Sequence, residues 1–85
     1  MKVIESGLNP RTGGYYAFFE HNGNEYYADL CYIPSAIDFG TECMIFASED
    51  KQVTSWRDLY CKRGIAVDED TLLRCIEEFV DMKRQ

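Results

Sequence analysis

The fold of this chain depends on the stretch YYAFFEHNGNEYYADL, residues 15–30, in which four tyrosines and two phenylalanines flank one Asn-Gly pair. The pair Asn22-Gly23 is a strong signal for a β-hairpin, because both central residues of a type I′ turn need positive φ. We therefore predict a strand over residues 15–21 and its antiparallel partner over residues 25–33. The aromatic residues do not keep to alternate positions, so they point to both faces of the hairpin.

The register of this hairpin has two alternatives. A two-residue loop pairs Phe19 with Tyr26 and sets Glu20 opposite Glu25, which is mildly unfavourable for like charges. A three-residue loop pairs Phe19 with Tyr27 instead. Because a one-residue change in register exchanges the two faces of a strand, the sequence leaves open which rings point into the core.

The pattern predicts further strands on either side of the hairpin, at residues 3–6, 42–48 and 53–62. Glycine and proline mark the intervening loops, at residues 7–14 and 34–41. In the last strand we expect Val53, Trp56 and Tyr60 to contribute to the core. A helix starting near Trp56 is the weaker alternative, because Val, Thr, Trp and Tyr favour extended structure. The first strand is short, so the predicted sheet has about four strands.

The C-terminal segment has the periodicity of an amphipathic helix. Its apolar residues recur at helical spacing and are Leu72, Leu73, Ile76, Phe79 and Val80. Asp68 is the predicted N-cap, and Val67 can contact Leu72 across the first turn as a hydrophobic staple. The predicted fold class is α+β, with this helix packed on one face of an antiparallel β-meander, in a single domain over residues 1–85.

The second face of the sheet indicates a binding surface. One helix of this length covers only one face of a sheet, so the other face is exposed, covered by loops, or buried against another chain. Large exposed apolar patches are rare on monomers, and tyrosine is common at interfaces. We therefore predict a partner-binding surface, with a homodimer as one possible assembly. Its predicted residues are Tyr15, Tyr16, Tyr26, Tyr27, Glu20, Glu25 and Asp29.

The composition is acidic, with fifteen Asp and Glu residues against nine Lys and Arg residues and a net charge of −6. Such a surface repels phosphate backbones, so we predict no direct binding to nucleic acid. It is compatible with a basic protein partner, although a charge of this size is also common for solubility alone.

The sequence also bears on location and on the cysteines. The opening MKVIESG has no apolar signal region, and no run of about 18 apolar residues follows it. We therefore predict a cytoplasmic protein without a membrane segment, whose thiols stay reduced. The four cysteines have no C-x-x-C spacing. Cys43 and Cys75 lie in apolar patterns and are predicted core residues, and Cys31 and Cys61 lie in predicted strands and are assigned the same role.

No catalytic, cofactor or metal motif stands out. His21, the only histidine, is predicted to be an exposed turn residue within reach of Glu25 rather than a catalytic base. The acidic residues 68–70 are explained by the start of the helix, where side-chain oxygens cap backbone N–H groups. We therefore predict that the protein is not an enzyme and has no cofactor.

The loop NPRTGG, residues 9–14, suggests an alternative function. Its glycines and Arg11 could hold an anion on backbone N–H groups, although the loop lacks the P-loop pattern and does not open a helix. The alternative is a protein that binds or sequesters a small ligand such as a nucleotide. Its site would combine this loop with tyrosine rings at a subunit interface.

The stretch ECMIFASEDKQVTSWRDLY, residues 42–60, resembles short uncharacterised accessory proteins of bacteriophages and mobile elements. They similarly have an apolar strand, an acidic turn, a V-T-x-W-x-x-L-Y strand and a terminal amphipathic helix. The resemblance covers the last half of the chain and defines no catalytic residues. It implies a small anti-defence or regulatory protein. The predicted function is therefore a non-enzymatic acidic binding protein that inhibits or modulates a host or defence protein.

Overall fold

The computed structural model describes residues 1–34, 40–49, 52–53 and 59–84. Within these residues the chain forms one antiparallel sheet and one helix. The strands are β1 (Lys2–Asn9), β2 (Gly14–His21), β3 (Asn24–Tyr32), β4 (Thr41–Glu49), β5 (Gln52–Val53) and β6 (Tyr60–Arg63), and the helix is α1 (Glu69–Lys83). This architecture confirms the predicted α+β class.

The sheet is wider than the predicted four strands. Strands β1 to β4 form a meander, and β5 and β6 pair with two different parts of the same edge of β4. The described sheet is therefore five strands wide. The difference in width comes from β1, which pairs with β2 from Lys2 to Asn9, although its last three residues were predicted to be a loop. The single strand predicted over residues 53–62 is also wrong, because β5 and β6 are separate strands. Pairing along the aromatic strand β2 overrides the weak strand preference of Gly7 and Asn9.

The hairpin adopts the two-residue register. Asn22 and Gly23 have φ values of 51° and 78°, and Phe19 lies opposite Tyr26 with ring centroids 5.3 Å apart. This register sets Glu20 opposite Glu25. The cost of two like charges across a strand pair is about 0.2–1 kcal/mol, whereas burying one large aromatic side chain contributes about 1.5–3 kcal/mol. The burial of Phe19 and Tyr26 therefore outweighs the charge repulsion.

The helix packs across one face of the sheet as predicted. The Asp68 side chain caps it by accepting a hydrogen bond from the Thr71 N–H at 2.7 Å. The Phe79 ring lies 6.0 Å from the Phe19 ring and 5.0 Å from the Tyr26 ring, centroid to centroid. Tyr60 is buried against the same ring, also as predicted.

One core prediction needs correction, and two others fall outside the part of the chain that the structure describes. Leu73 was placed on the apolar side of the helix but is 42% exposed, because successive helical residues are about 100° apart and Leu72 already faces the sheet. Cys75, also a predicted core residue, is buried on the inner side of the helix. Trp56 and the side chain of Val53 lie outside what the structure describes.

Gly14 is required where β2 passes close to β3. A β-carbon at this position would overlap the carbonyl oxygen of Leu30. We expect Gly14→Ala to lower the free energy of unfolding by about 2 kcal/mol or more, because backbone atoms must move to admit the methyl group. Urea denaturation followed by circular dichroism measures this change.

Gly7→Ala is the matched control, because a β-carbon there has its nearest neighbour, a carbon of the Tyr16 ring, at 3.6 Å, an ordinary contact. It should change the free energy of unfolding by less than about 1 kcal/mol. Equal losses for the two variants would contradict the close approach at Gly14.

Candidate functional site

The sheet face opposite α1, which we name the helix-free face, carries a second set of large side chains. Successive strand residues point to opposite faces, so the neighbours of the core residues lie here. Its half-buried residues on the three central strands include Tyr16, Phe18, Tyr27, Asp29, Met44 and Phe46. In the described part of the chain, no second helix or sheet lies over this face.

The aromatic residues of the helix-free face form a continuous row. Phe18 lies opposite Tyr27, with ring centroids 4.9 Å apart and planes at 42°. Tyr16 meets the edge of Phe18 at 6.1 Å, and Phe46 lies opposite Tyr27 on the next strand. We name Tyr16, Phe18, Tyr27 and Phe46 the aromatic row. It crosses β2, β3 and β4 and presents a broad surface of π faces.

Carboxylates lie directly beside the aromatic row. The Tyr16 hydroxyl donates a hydrogen bond to Glu5 Oε2 at 3.0 Å. Asp29 lies on β3, opposite Tyr16 of β2 on one side and Met44 of β4 on the other. Its Oδ1 is buried and has no hydrogen-bond partner among the described residues. The face therefore combines an apolar row with an acidic group that is only partly satisfied.

Burial governs the protonation of these groups. It raises the pKa of Asp29, and a hydrogen bond with the Asn9 side chain acts in the opposite direction. The pKa of Tyr27 is raised to about 12, first by burial and then by the nearby charge of Asp29, while Arg11 acts in the opposite direction. The Tyr27 hydroxyl is therefore neutral at physiological pH. Burial makes the charged form of Asp29 costly.

A groove of about 390 Å³ lies where the turn between β1 and β2 meets the aromatic row. Its lining includes Glu5, Asn9, Arg11, Tyr16, Phe18 and Tyr27. The turn is shaped by Asn9, whose carbonyl accepts from the Gly13 N–H at 2.9 Å and whose side chain accepts from the Arg11 N–H at 3.1 Å. The structure thus brings part of the predicted loop site together with two of the tyrosines.

The predicted interface residues divide between the two faces. Those on the helix-free face are Tyr16, Tyr27, Glu20, Glu25 and Asp29. Tyr26 instead packs on Phe19 in the core, and Tyr15 packs beside the core. The seven residues therefore do not form one surface.

The predicted interface left out four members of the helix-free face, which are Glu5, Phe18, Met44 and Phe46. Phe18 follows from Tyr16 by strand alternation once the register is known. Met44 and Phe46 follow in the same way from the register of β4 against β3. Glu5 could not have been found, because β1 has an irregularity between Val3 and Glu5 that shifts its register.

His21 differs from its prediction. It is only 7% exposed, and it lies opposite Asn24 rather than beside Glu25. Its Nε2 is buried without a hydrogen-bond partner in the part of the chain that the structure describes. Alternation puts His21 on the same face as Phe19. In the described ranges, no group of three or more His, Cys, Asp and Glu side chains is arranged to hold a metal ion.

The four cysteines are free and occupy different environments. Cys43 and Cys75 are buried in the core, as predicted, but Cys61 is exposed and Cys31 is half-buried. Cys61 lies on the edge strand β6, where its thiol donates to Glu42 Oε1 at 3.2 Å. A hydrogen bond from the Cys43 thiol lowers the pKa of Cys75 below its usual value.

Comparison with known proteins identified no relative. No protein-family model matches the chain, no curated protein matches it, and no solved structure matches its fold. Among the described residues, no helix has the length and apolar character to cross a membrane.

Asp29 should reduce stability at neutral pH. Burial raises the pKa of Asp29 in the folded state above its value in the unfolded state. The folded chain therefore holds the proton more tightly than the unfolded chain does. As a result, the contribution of Asp29 to the free energy of unfolding falls as pH rises from the unfolded-state pKa through the folded-state pKa. We expect Asp29→Asn to raise the free energy of unfolding at pH 7, because Asn carries no charge to bury. The gain should disappear below about pH 3, where Asp is protonated in both states.

Urea denaturation at several pH values measures this difference. Glu77→Gln removes the same charge from an exposed position of α1 and is the control. It should show no comparable dependence on pH. A variant Asp29→Asn that is less stable than the parent protein at pH 7 would contradict the cost assigned to this carboxylate.

The cysteines allow a second test of burial. The lowered pKa of Cys75 favours its reactive thiolate, and a cavity of about 230 Å³ lined by Lys62 and Arg74 adjoins it, yet Cys75 is only 3% exposed. We expect the solvent exposure of each thiol, rather than its pKa, to determine the rate of alkylation, so iodoacetamide should modify Cys61 first. Cys75 should react at least about 100-fold more slowly, through local opening of the core. Mass spectrometry of timed samples measures the order, and early modification of Cys75 would contradict it.

Proposed function

We propose that this chain is a non-enzymatic binding protein whose helix-free face contacts a partner protein. The observation that carries the proposal is the aromatic row, which crosses three strands on the face that α1 does not cover. Aromatic side chains supply large contact area with few rotatable bonds, and they are enriched at the centres of interfaces. The four rings of the row are half-buried, and apolar surface that is shared between neighbouring strands and left uncovered is a candidate interaction site.

The charge supports a basic partner. The chain has a net charge of −6, and Glu20 and Glu25 lie opposite each other at the end of the aromatic row. An acidic rim raises the rate of association with a basic surface and discriminates against acidic ones. In this proposal the apolar row supplies affinity, and the acidic residues around it select the partner.

The class of partner rests on the sequence resemblance. We propose that the protein is an accessory protein of a phage or mobile element that inhibits or modulates a host or defence protein. The resemblance of residues 42–60 to such proteins supports this assignment. We also propose a cytoplasmic location, which fits the four free cysteines because a reducing compartment keeps thiols unpaired.

A second candidate is a protein that binds or sequesters a small ligand such as a nucleotide. The groove beside Arg11 favours it, because aromatic rings and a guanidinium group are suited to a base and a phosphate. Glu5 and Asp29 weigh against it, because carboxylates beside the groove repel phosphate. A homodimer is the alternative to a different partner protein. In that assembly a second copy of the chain would cover the aromatic row with its own helix-free face.

The aromatic row can be tested by the double change Tyr16→Ser/Tyr27→Ser. We expect the variant to lose at least about tenfold in affinity for the partner, because both rings leave the centre of the proposed interface. Affinity capture from a host lysate identifies the partner, and titration calorimetry with that purified partner measures the change. Circular dichroism establishes that the variant is folded, and Tyr27→Ser alone replaces it if the double change unfolds the chain.

The matched control is Leu73→Ser/Met82→Ser, which removes two exposed apolar side chains from α1 on the other side of the sheet. This variant should retain the affinity of the parent protein. Native mass measurement of each protein alone tests for a homodimer. Unchanged partner capture and unchanged self-association in the tyrosine variant would overturn the proposed use of the helix-free face.

A further inference from the structure

We infer that the groove at the end of the aromatic row binds the guanidinium group of an arginine side chain presented by a basic partner protein. The inference rests on the proposed function, because it names the chemistry by which the helix-free face would hold its partner. The groove has a volume of about 390 Å³ and opens beside the turn between β1 and β2. It is large enough for one long side chain.

The aromatic rings supply the first part of such a site. Phe18 and Tyr27 lie 4.9 Å apart, centroid to centroid, and both line the groove. Tyr16 meets the edge of Phe18 and lines the same groove. The face of an aromatic ring attracts a cation held within about 6 Å of its centre. A guanidinium group is planar and weakly hydrated, so it stacks on such faces more readily than an ammonium group does.

The carboxylates supply the second part. Asp29 lies opposite Tyr16 and two residues from Tyr27 along β3, next to the residues that line the groove. A hydrogen bond with the Asn9 side chain stabilises its charged form, so Asp29 acts on a ligand in the groove through its negative charge. A charged N–H group is the donor that best satisfies a carboxylate on the lining itself. Glu5, which accepts from the Tyr16 hydroxyl, places a second carboxylate on the lining of the groove.

Arg11 distinguishes a cationic ligand from an anionic one. Its exposed side chain lines the rim of the groove. A bound arginine would be repelled by Arg11 and attracted by Asp29, whereas a nucleotide phosphate would be attracted by Arg11 and repelled by Asp29. The changes Arg11→Ala and Asp29→Asn therefore have opposite expected effects for the two kinds of ligand.

The test uses the whole chain labelled with ¹⁵N and three short capped peptides, Gly-Arg-Gly, Gly-Lys-Gly and Gly-citrulline-Gly. Citrulline has nearly the shape of arginine without its charge. We expect the arginine peptide to shift the amide signals of Tyr16, Phe18 and Tyr27 in a saturable way. The citrulline peptide should bind at least about tenfold more weakly, because the contacts to ring faces and carboxylate need the charge. The lysine peptide should bind more weakly than the arginine peptide.

The variants complete the test. Arg11→Ala should tighten binding of the arginine peptide, and Asp29→Asn should weaken it by at least about tenfold. Adenosine diphosphate is the anionic probe, and tight binding that Arg11→Ala weakens would assign the groove to a nucleotide and overturn the inference. Equal binding of the arginine and citrulline peptides would overturn it too. Shifts of the same signals on raising the protein concentration alone would assign the groove to a second copy and also overturn it.

The result separates the inference from the proposed function. If Tyr16→Ser/Tyr27→Ser abolishes partner capture while the arginine peptide causes no shift, the inference fails and the proposed function stands. If capture is unchanged in that variant, the proposed function fails, and the role of the groove in holding a partner fails with it.

Discussion

The two-residue turn at Asn22 and Gly23 is the constraint on which the rest of the structure depends. Both residues have positive φ, and the turn sets the register that puts Phe19 and Tyr26 on one face. Because a shift of one residue would exchange the two faces, this turn decides which rings contact the helix. The aromatic row on the opposite face follows from the same decision, so the core and the candidate binding surface are products of one register.

The structure keeps unfavourable features on the helix-free face. Glu20 lies opposite Glu25, and one of the two oxygens of Asp29, Oδ1, is buried without a hydrogen-bond partner among the described residues, although the Asn9 side chain bonds to the same carboxyl group. A face selected for stability alone would replace such groups by neutral ones, since an unsatisfied buried polar group lowers the free energy of unfolding. These groups lie beside the half-buried rings of the aromatic row, where the proposed basic partner would satisfy them on binding.

Local signals predicted those parts of the fold that local interactions determine. The Asn-Gly turn, the Asp68 cap and the helical spacing of Leu72, Ile76 and Phe79 each involve residues close in the chain, and each was predicted correctly. The length of β1 was predicted wrongly, because Gly7 and Asn9 join a strand only through pairing with β2. His21 was predicted to be an exposed turn residue, and it is buried.

By itself, the sequence determined the class of the fold, the hairpin, the helix and the excess of aromatic residues over what one covered face can hold. Only the tertiary structure decided the register, the separation of Tyr15 and Tyr26 from Tyr16 and Tyr27, and the approach of Glu5 and Arg11 to the aromatic row. The physical reason is that turn and helix preferences act within a few residues. Which side chains meet across a sheet depends on the pairing of strands that are distant in the chain.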